Sequence, residues 1–61
     1  MDSREMKVGE FYQHKTSDIE IIVKSISDED LDKGLVNGEI KYSNVGGSPG
    51  MKSKFIAKYF K

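Results

Sequence analysis

Asp18-Ile19-Glu20-Ile21-Ile22-Val23-Lys24-Ser25-Ile26 is the stretch on which the fold assignment turns. Within it Ile19, Ile21, Ile22, Val23 and Ile26 are β-branched and apolar, and such side chains fit a pleated, half-buried surface better than a helix. Ile19, Ile21 and Val23 fall on one face, with Glu20, Ile22 and Lys24 on the other. A period of two is the signature of a strand with one buried side. Upstream, Lys7-Val8-Gly9-Glu10-Phe11-Tyr12-Gln13-His14 reads as another short strand, and Thr16-Ser17-Asp18 supplies the turn between the two.

Downstream, Ser27-Asp28-Glu29-Asp30-Leu31-Asp32-Lys33 suits a single helical turn, with Ser27 as cap and acids where a helix N-terminus favours them. Asn37-Gly38, between Leu35-Val36 and Glu39-Ile40, predicts a type I′ hairpin turn, which requires positive φ at both central residues. The arm from Glu39 to Val45 alternates, with Ile40 and Tyr42 on one face. Gly46-Gly47-Ser48-Pro49-Gly50 is a loop by composition, and Ser48-Pro49 suits a helix start. Met51, Phe55 and Tyr59 then recur at spacing four beside Ile56 and Phe60, with Lys54, Lys58 and Lys61 opposite, which predicts a short amphipathic C-terminal helix.

These elements predict a mainly β protein, either a small barrel or a three- to four-stranded antiparallel sheet with a short C-terminal helix, the alternative class being α+β. Residues 1–6 are expected to be a frayed, flexible N-terminus, and residues 7–61 one β-rich domain. The expected core is Phe11, Ile21, Val23, Ile40, Tyr42, Phe55, Ile56 and Tyr59. The layout resembles the small SH3-like barrel modules of bacterial and phage proteins. The resemblance rests on Val8-Gly9-Glu10-Phe11-Tyr12, the β-branched second strand, Ile40-Lys41-Tyr42, and Phe55 with Tyr59-Phe60. It covers most of the chain as a pattern. The Ala-Leu-Tyr-Asp-Tyr run of signalling SH3 domains is missing, so proline-rich ligand binding does not carry over.

Composition narrows function. The chain has 61 residues and no cysteine, so disulfides and thiolate metal sites are excluded, and the single histidine, His14, makes a structural zinc site a poor fit. A domain this small leaves much of its surface exposed, so assembly as a homo-oligomer or in a complex is expected. No apolar run is long enough to span a membrane and no targeting segment is visible; with the absence of cysteine, a cytoplasmic location is expected, the host's cytoplasm for a viral protein. Lysine- and isoleucine-rich usage suits an A/T-rich coding sequence such as a phage or low-GC bacterium carries. Net charge is zero but polarised: four bases meet nine acids up to Asp32 (net −5), and six bases meet only Glu39 from Lys33 onward (net +5).

Three segments carry candidate chemistry. Asp28, Asp30, Asp32 and Glu39 match positions 1, 3, 5 and 12 of a calcium loop, yet Lys33 occupies the sixth position, where a sharp turn needs glycine. The segment therefore reads first as a solvated acidic turn and next as a docking patch. Gly47-Ser48-Pro49-Gly50-Met51-Lys52-Ser53 fails as a nucleotide phosphate loop because its last glycine does not directly precede the lysine, leaving only an isolated phosphate at a helix start. The lysine-rich aromatic end suits phosphate contacts and base stacking. The leading expectation is a non-enzymatic protein-binding module without cofactor or metal, an accessory or inhibitor protein of phage type. In it Asp28, Glu29, Asp30 and Asp32 steer association and Tyr12 anchors. The alternative is a nucleic-acid binder using Lys52, Lys54, Lys58, Lys61 and Tyr59.

Overall fold

The computed structural model describes residues 1–43 and 49–61. The strands β1 (Phe11–Gln13), β2 (Ile19–Ser25), β3 (Leu35–Ser43) and β4 (Lys52–Ile56) form one open antiparallel sheet in the order β1-β2-β3-β4. Helix α1 (Asp28–Lys33) connects β2 to β3, and 3-10 turns occupy Ser3–Glu5 and Ala57–Tyr59. The fold is thus mainly β. Among the described residues no helix is long and apolar enough to cross a membrane.

The stretch from Ile19 to Ser25 behaves as its alternation predicts, with Ile21 and Val23 fully buried. The acidic segment is helical because Ser27 caps it, its hydroxyl accepting from the Asp30 amide at 3.1 Å. The helix stops at Gly34, whose φ of 72° places it in the left-handed region that glycine enters without penalty.

Asn37-Gly38 is not a turn. Both residues lie inside β3, and neither is among the described residues with positive φ. Glycine is required at 38 for space: a Cβ there would stand 3.0 Å from the Ile22 carbonyl oxygen and 3.2 Å from the Phe55 ring. Two runs expected to form a hairpin are therefore one nine-residue strand, and the chain reverses beyond Ser43 instead. The expected strand residues Asn44 and Val45, and the expected cap Ser48, lie outside the described residues.

The C-terminal helix is likewise replaced. Residues 52–56 are a strand and 57–59 a single 3-10 turn. Lys52-Ser53-Lys54-Phe55-Ile56 satisfies a period of two as well as one of four, and pairing with β3, Val36 opposite Phe55, decides the matter. Phe60 then turns inward, its ring edge-on to Phe55 at 5.8 Å.

The core consists of Met6, Ile21, Val23, Val36, Ile40, Ala57 and Phe60, with Tyr12, Ile19, Ile26 and Phe55 packed against it. Of the expected core residues, Ile21, Val23 and Ile40 are buried and Phe55 is half-buried; Phe11, Tyr42, Ile56 and Tyr59 are exposed. Part of the first six residues packs on the domain. Ser3 is buried with its hydroxyl donating to the Leu31 carbonyl at 3.3 Å, and Met6 joins the core. At the other end, Gln13 and Lys61 exchange backbone hydrogen bonds of 3.1 and 2.9 Å, and Lys15 donates to the Tyr59 carbonyl at 2.8 Å. These bonds cover the free side of β1 with the last residues of the chain.

Truncating Ile21 to alanine should cost about 2–5 kcal/mol because it opens a cavity in a packed interior. Ile56→Ala, at a position 43% exposed, should change stability by only about 0.5 kcal/mol. Denaturant unfolding of both variants checks this reversal of the burial expected for Ile56.

Candidate binding face of the sheet

Residues directly opposite each other in an antiparallel pair share a face of the sheet. On the face away from the core this places Phe11 opposite Ile22, Ile22 opposite Glu39, and Glu39 opposite Lys52, one row across all four strands. A second row holds Gln13, Glu20 and Tyr42. Tyr42 belongs here because the register shifts between Glu20 and Ile21: Ile21 pairs with Ile40, yet Glu20 pairs with Tyr42. The extra residue, Lys41, bulges β3 and turns Tyr42 to the side opposite Ile40. A second shift, between Val23 and Ser25, lets Lys24 reach Glu39. The result is a solvent face with Phe11 and Tyr42 each 54% exposed, Ile22 half-buried between them, and Lys24, Lys41, Lys52 and Lys54 around them.

The charges on this face are organised by two carboxylates. Glu39 takes Lys24 at 3.3 Å and Lys41 at 3.9 Å. The hydrogen bond from Lys24 holds its carboxyl below the usual value, the charges of Lys41, Lys24 and Lys52 adding to the effect against partial burial. Asp30, only 2% exposed, receives Lys54 at 3.1 Å and the Asn37 amide at 3.0 Å. The Lys54 hydrogen bond, with those of Ser27 and Asn37, lowers its pKa against the opposing effect of burial. Between these two centres lies an open groove of about 570 Å³ lined by Lys24, Ser25, Asn37, Gly38, Glu39, Lys52, Ser53 and Lys54. The acidic and basic halves of the sequence therefore meet inside one molecule, through Asp30–Lys54.

The residues expected to carry function are dispersed. Asp28, Glu29 and Asp32 are exposed on α1, with Glu29 bonded to Lys33 at 2.9 Å and Asp32 to Arg4 at 3.4 Å. Asp30 is only 2% exposed, its carboxylate taken by Lys54 and Asn37. Tyr12 is half-buried against the core and its hydroxyl accepts from the Lys7 amide at 2.8 Å. Lys52 and Lys54 lie on the outer sheet face. Lys58 and Tyr59 are elsewhere, in the 3-10 turn, where the Lys58 ammonium sits 5.3 Å from the Tyr59 ring centre. The ring itself stacks on His14 at 6.0 Å. Lys61 is tied to Gln13 through its backbone. The alternative lysine set is thus split between two surfaces instead of lining one helix.

His14 Nδ1 accepts from the amides of Thr16 and Ser17, both at 3.1 Å, and so closes the turn into β2. The calcium arrangement does not form: Asp30 is committed to Lys54 and Asn37, and Glu39 to Lys24. Among the described residues no three His, Cys, Asp or Glu side chains converge on a metal position. Among the described residues of the would-be phosphate loop no helix begins, and β4 starts at Lys52.

No protein family, curated protein or solved structure matches this chain.

Both carboxylates have folded-state pKa values below their ordinary ones, so the stability they contribute is full at neutral pH. It is lost as the pH falls through the ordinary values of 4.5 for Glu39 and 3.8 for Asp30 toward the lowered folded values. Asp30→Asn should lower the unfolding midpoint at pH 7 and flatten its fall in acid, leaving a residual slope from Glu39. Denaturant midpoints measured across an acid pH series decide this, and an unchanged slope would assign the acid sensitivity elsewhere.

Proposed function

We propose that this protein is a small binding module of SH3-like layout that docks on another protein through the outer face of its sheet. The layout is supported by the four-stranded meander, by the 3-10 turn at Ala57–Tyr59, and by the backbone bonds of Gln13 with Lys61, which join the end of the chain to the first strand. The observation that carries the functional reading is the pairing register, which gathers Phe11, Ile22 and Tyr42 on one solvent face instead of dispersing them. Exposed aromatic groups surrounded by charge have the composition of an interface centre and rim. Lys24, Lys41, Lys52 and Lys54 outnumber Glu20, Glu39 and Asp30 on that side, which favours a partner with an acidic surface.

A protein partner fits better than nucleic acid because the lysines are interleaved with carboxylates and the whole chain has net charge zero, whereas nucleic-acid binders present an uncompensated basic surface. The acidic side of α1 is a weaker docking element, since Glu29 and Asp32 each have a basic neighbour in the same molecule.

The test is comparative capture from nuclease-treated bacterial extract with wild-type protein and with a Phe11→Ala/Tyr42→Ala double variant of equal stability. A stoichiometric protein retained by the wild type and lost by the variant is the expected outcome. Capture that disappears with nuclease, or that ignores both substitutions, would refute the proposal.

A further inference from the structure

The sheet has two edges, and they differ. The free side of β1 is occupied by the backbone of residues 59–61. β4 borders only β3. Hydrogen-bonded pairs alternate along an antiparallel ladder. Ala57 donates to the Gly34 carbonyl at 2.9 Å and Ile40 to the Met51 carbonyl at 2.9 Å, so the Ala57 amide, the Met51 carbonyl and the backbone groups of Ser53 and Phe55 point toward β3. The amides and carbonyls of Lys52 and Lys54, and the amide of Ile56, therefore point outward, away from the sheet, while the Ile56 carbonyl opens the 3-10 turn. The side chains of Lys52 and Lys54 rise on the outer face, about 6.8 Å apart by the strand repeat.

Resting on the protein-docking reading of this same face, we infer that β4 is completed by an extended segment of the partner with acidic residues at alternate positions. An added strand directs every second side chain to one face, so glutamate or aspartate at i and i+2 would stand opposite Lys52 and Lys54 while the backbones hydrogen-bond. Lys54 spends one of its three donors on Asp30 and is still 59% exposed along its side chain. A second copy of the chain is disfavoured at this edge. Antiparallel self-pairing about Ser53 sets Lys52 against Lys54 twice, and like charges directly opposite are destabilising.

The probe is the capped peptide Thr-Glu-Val-Glu-Val-Glu-Thr, with a lysine-for-glutamate peptide as counter-probe. On binding the glutamate peptide, hydrogen exchange should slow at the amides of Lys52, Lys54 and Ile56, while Ser53 and Phe55, already bonded to β3, change little. Lys52→Pro removes an outward donor without touching the β3 ladder. It should weaken binding about fivefold to tenfold relative to Lys52→Gln, the worth of one backbone hydrogen bond. Equal binding of both peptides, unchanged exchange at these amides, or a dimer in sedimentation that protects them without peptide would overturn the inference. If Lys52→Pro leaves capture of the protein partner intact while Phe11→Ala/Tyr42→Ala abolishes it, the strand-addition inference fails alone. If neither substitution matters, the docking reading fails with it.

Discussion

The carboxylate of Asp30 is the point through which the elements of this protein are held in one arrangement. It sits on α1, accepts from Asn37 on β3 and from Lys54 on β4, and belongs to the same turn that Ser27 caps. A buried carboxylate that lost these donors would be an uncompensated charge in an apolar site, which is strongly unfavourable. A slip of β4 by one residue would carry the Lys54 side chain to the opposite face and turn Phe55 out of the core. The pair therefore discriminates between registers beyond any stability it adds, and hydrophobic area, which is indifferent to register in detail, cannot do that by itself.

The second constraint is size. Among the described residues seven buried apolar side chains line the core, and none of them is larger than Phe60. So small a core needs its ends closed. Ser3 and Met6 close it together with Ala57 and Phe60, the Met1 ammonium donating to the Phe60 carbonyl at 3.0 Å, so segments that look peripheral in the sequence are structural. Placing Phe60 in the core also brings Lys61 against Gln13, which is why covering β1 and filling the interior are the same event.

Much of the strand pattern was legible from side-chain chemistry, and the errors have identifiable physical origins. Ile21 and Val23 followed from alternation, and the Ser27 cap followed from local hydrogen bonding, because both depend on neighbours close in sequence. Asn37-Gly38 misled because glycine has two uses. It permits positive φ, the property a turn needs, and it permits close approach, the property needed beneath the Ile22 carbonyl. Only tertiary packing distinguishes them. Residues 52–56 satisfy both periods, and pairing with β3 overrode the helical one. The binding face was the least legible part, since Tyr42 reaches it only through a one-residue bulge at Lys41 that alternation cannot reveal.

Those bulges bear on how the face divides its work. In the unbound protein Lys24 and Lys41 are spent on Glu39, and Lys54 on Asp30. A partner that drew Lys54 away would strand a buried carboxylate, so Lys54 serves the fold first and a ligand only with its remaining donors. Lys52 is different: among the described residues no carboxylate lies within ion-pair distance of its ammonium, although its charge acts on Glu39 across the strand pair. It stands in the same row as Phe11 and Ile22, at the open edge, on the residue whose backbone also points outward. A single residue thus offers an unspent charge and unspent backbone hydrogen bonds beside an apolar row. That coincidence makes the β4 side of the face, more than the acidic helix or the aromatic C-terminus, the place where a partner gains most without dismantling contacts that hold the protein together.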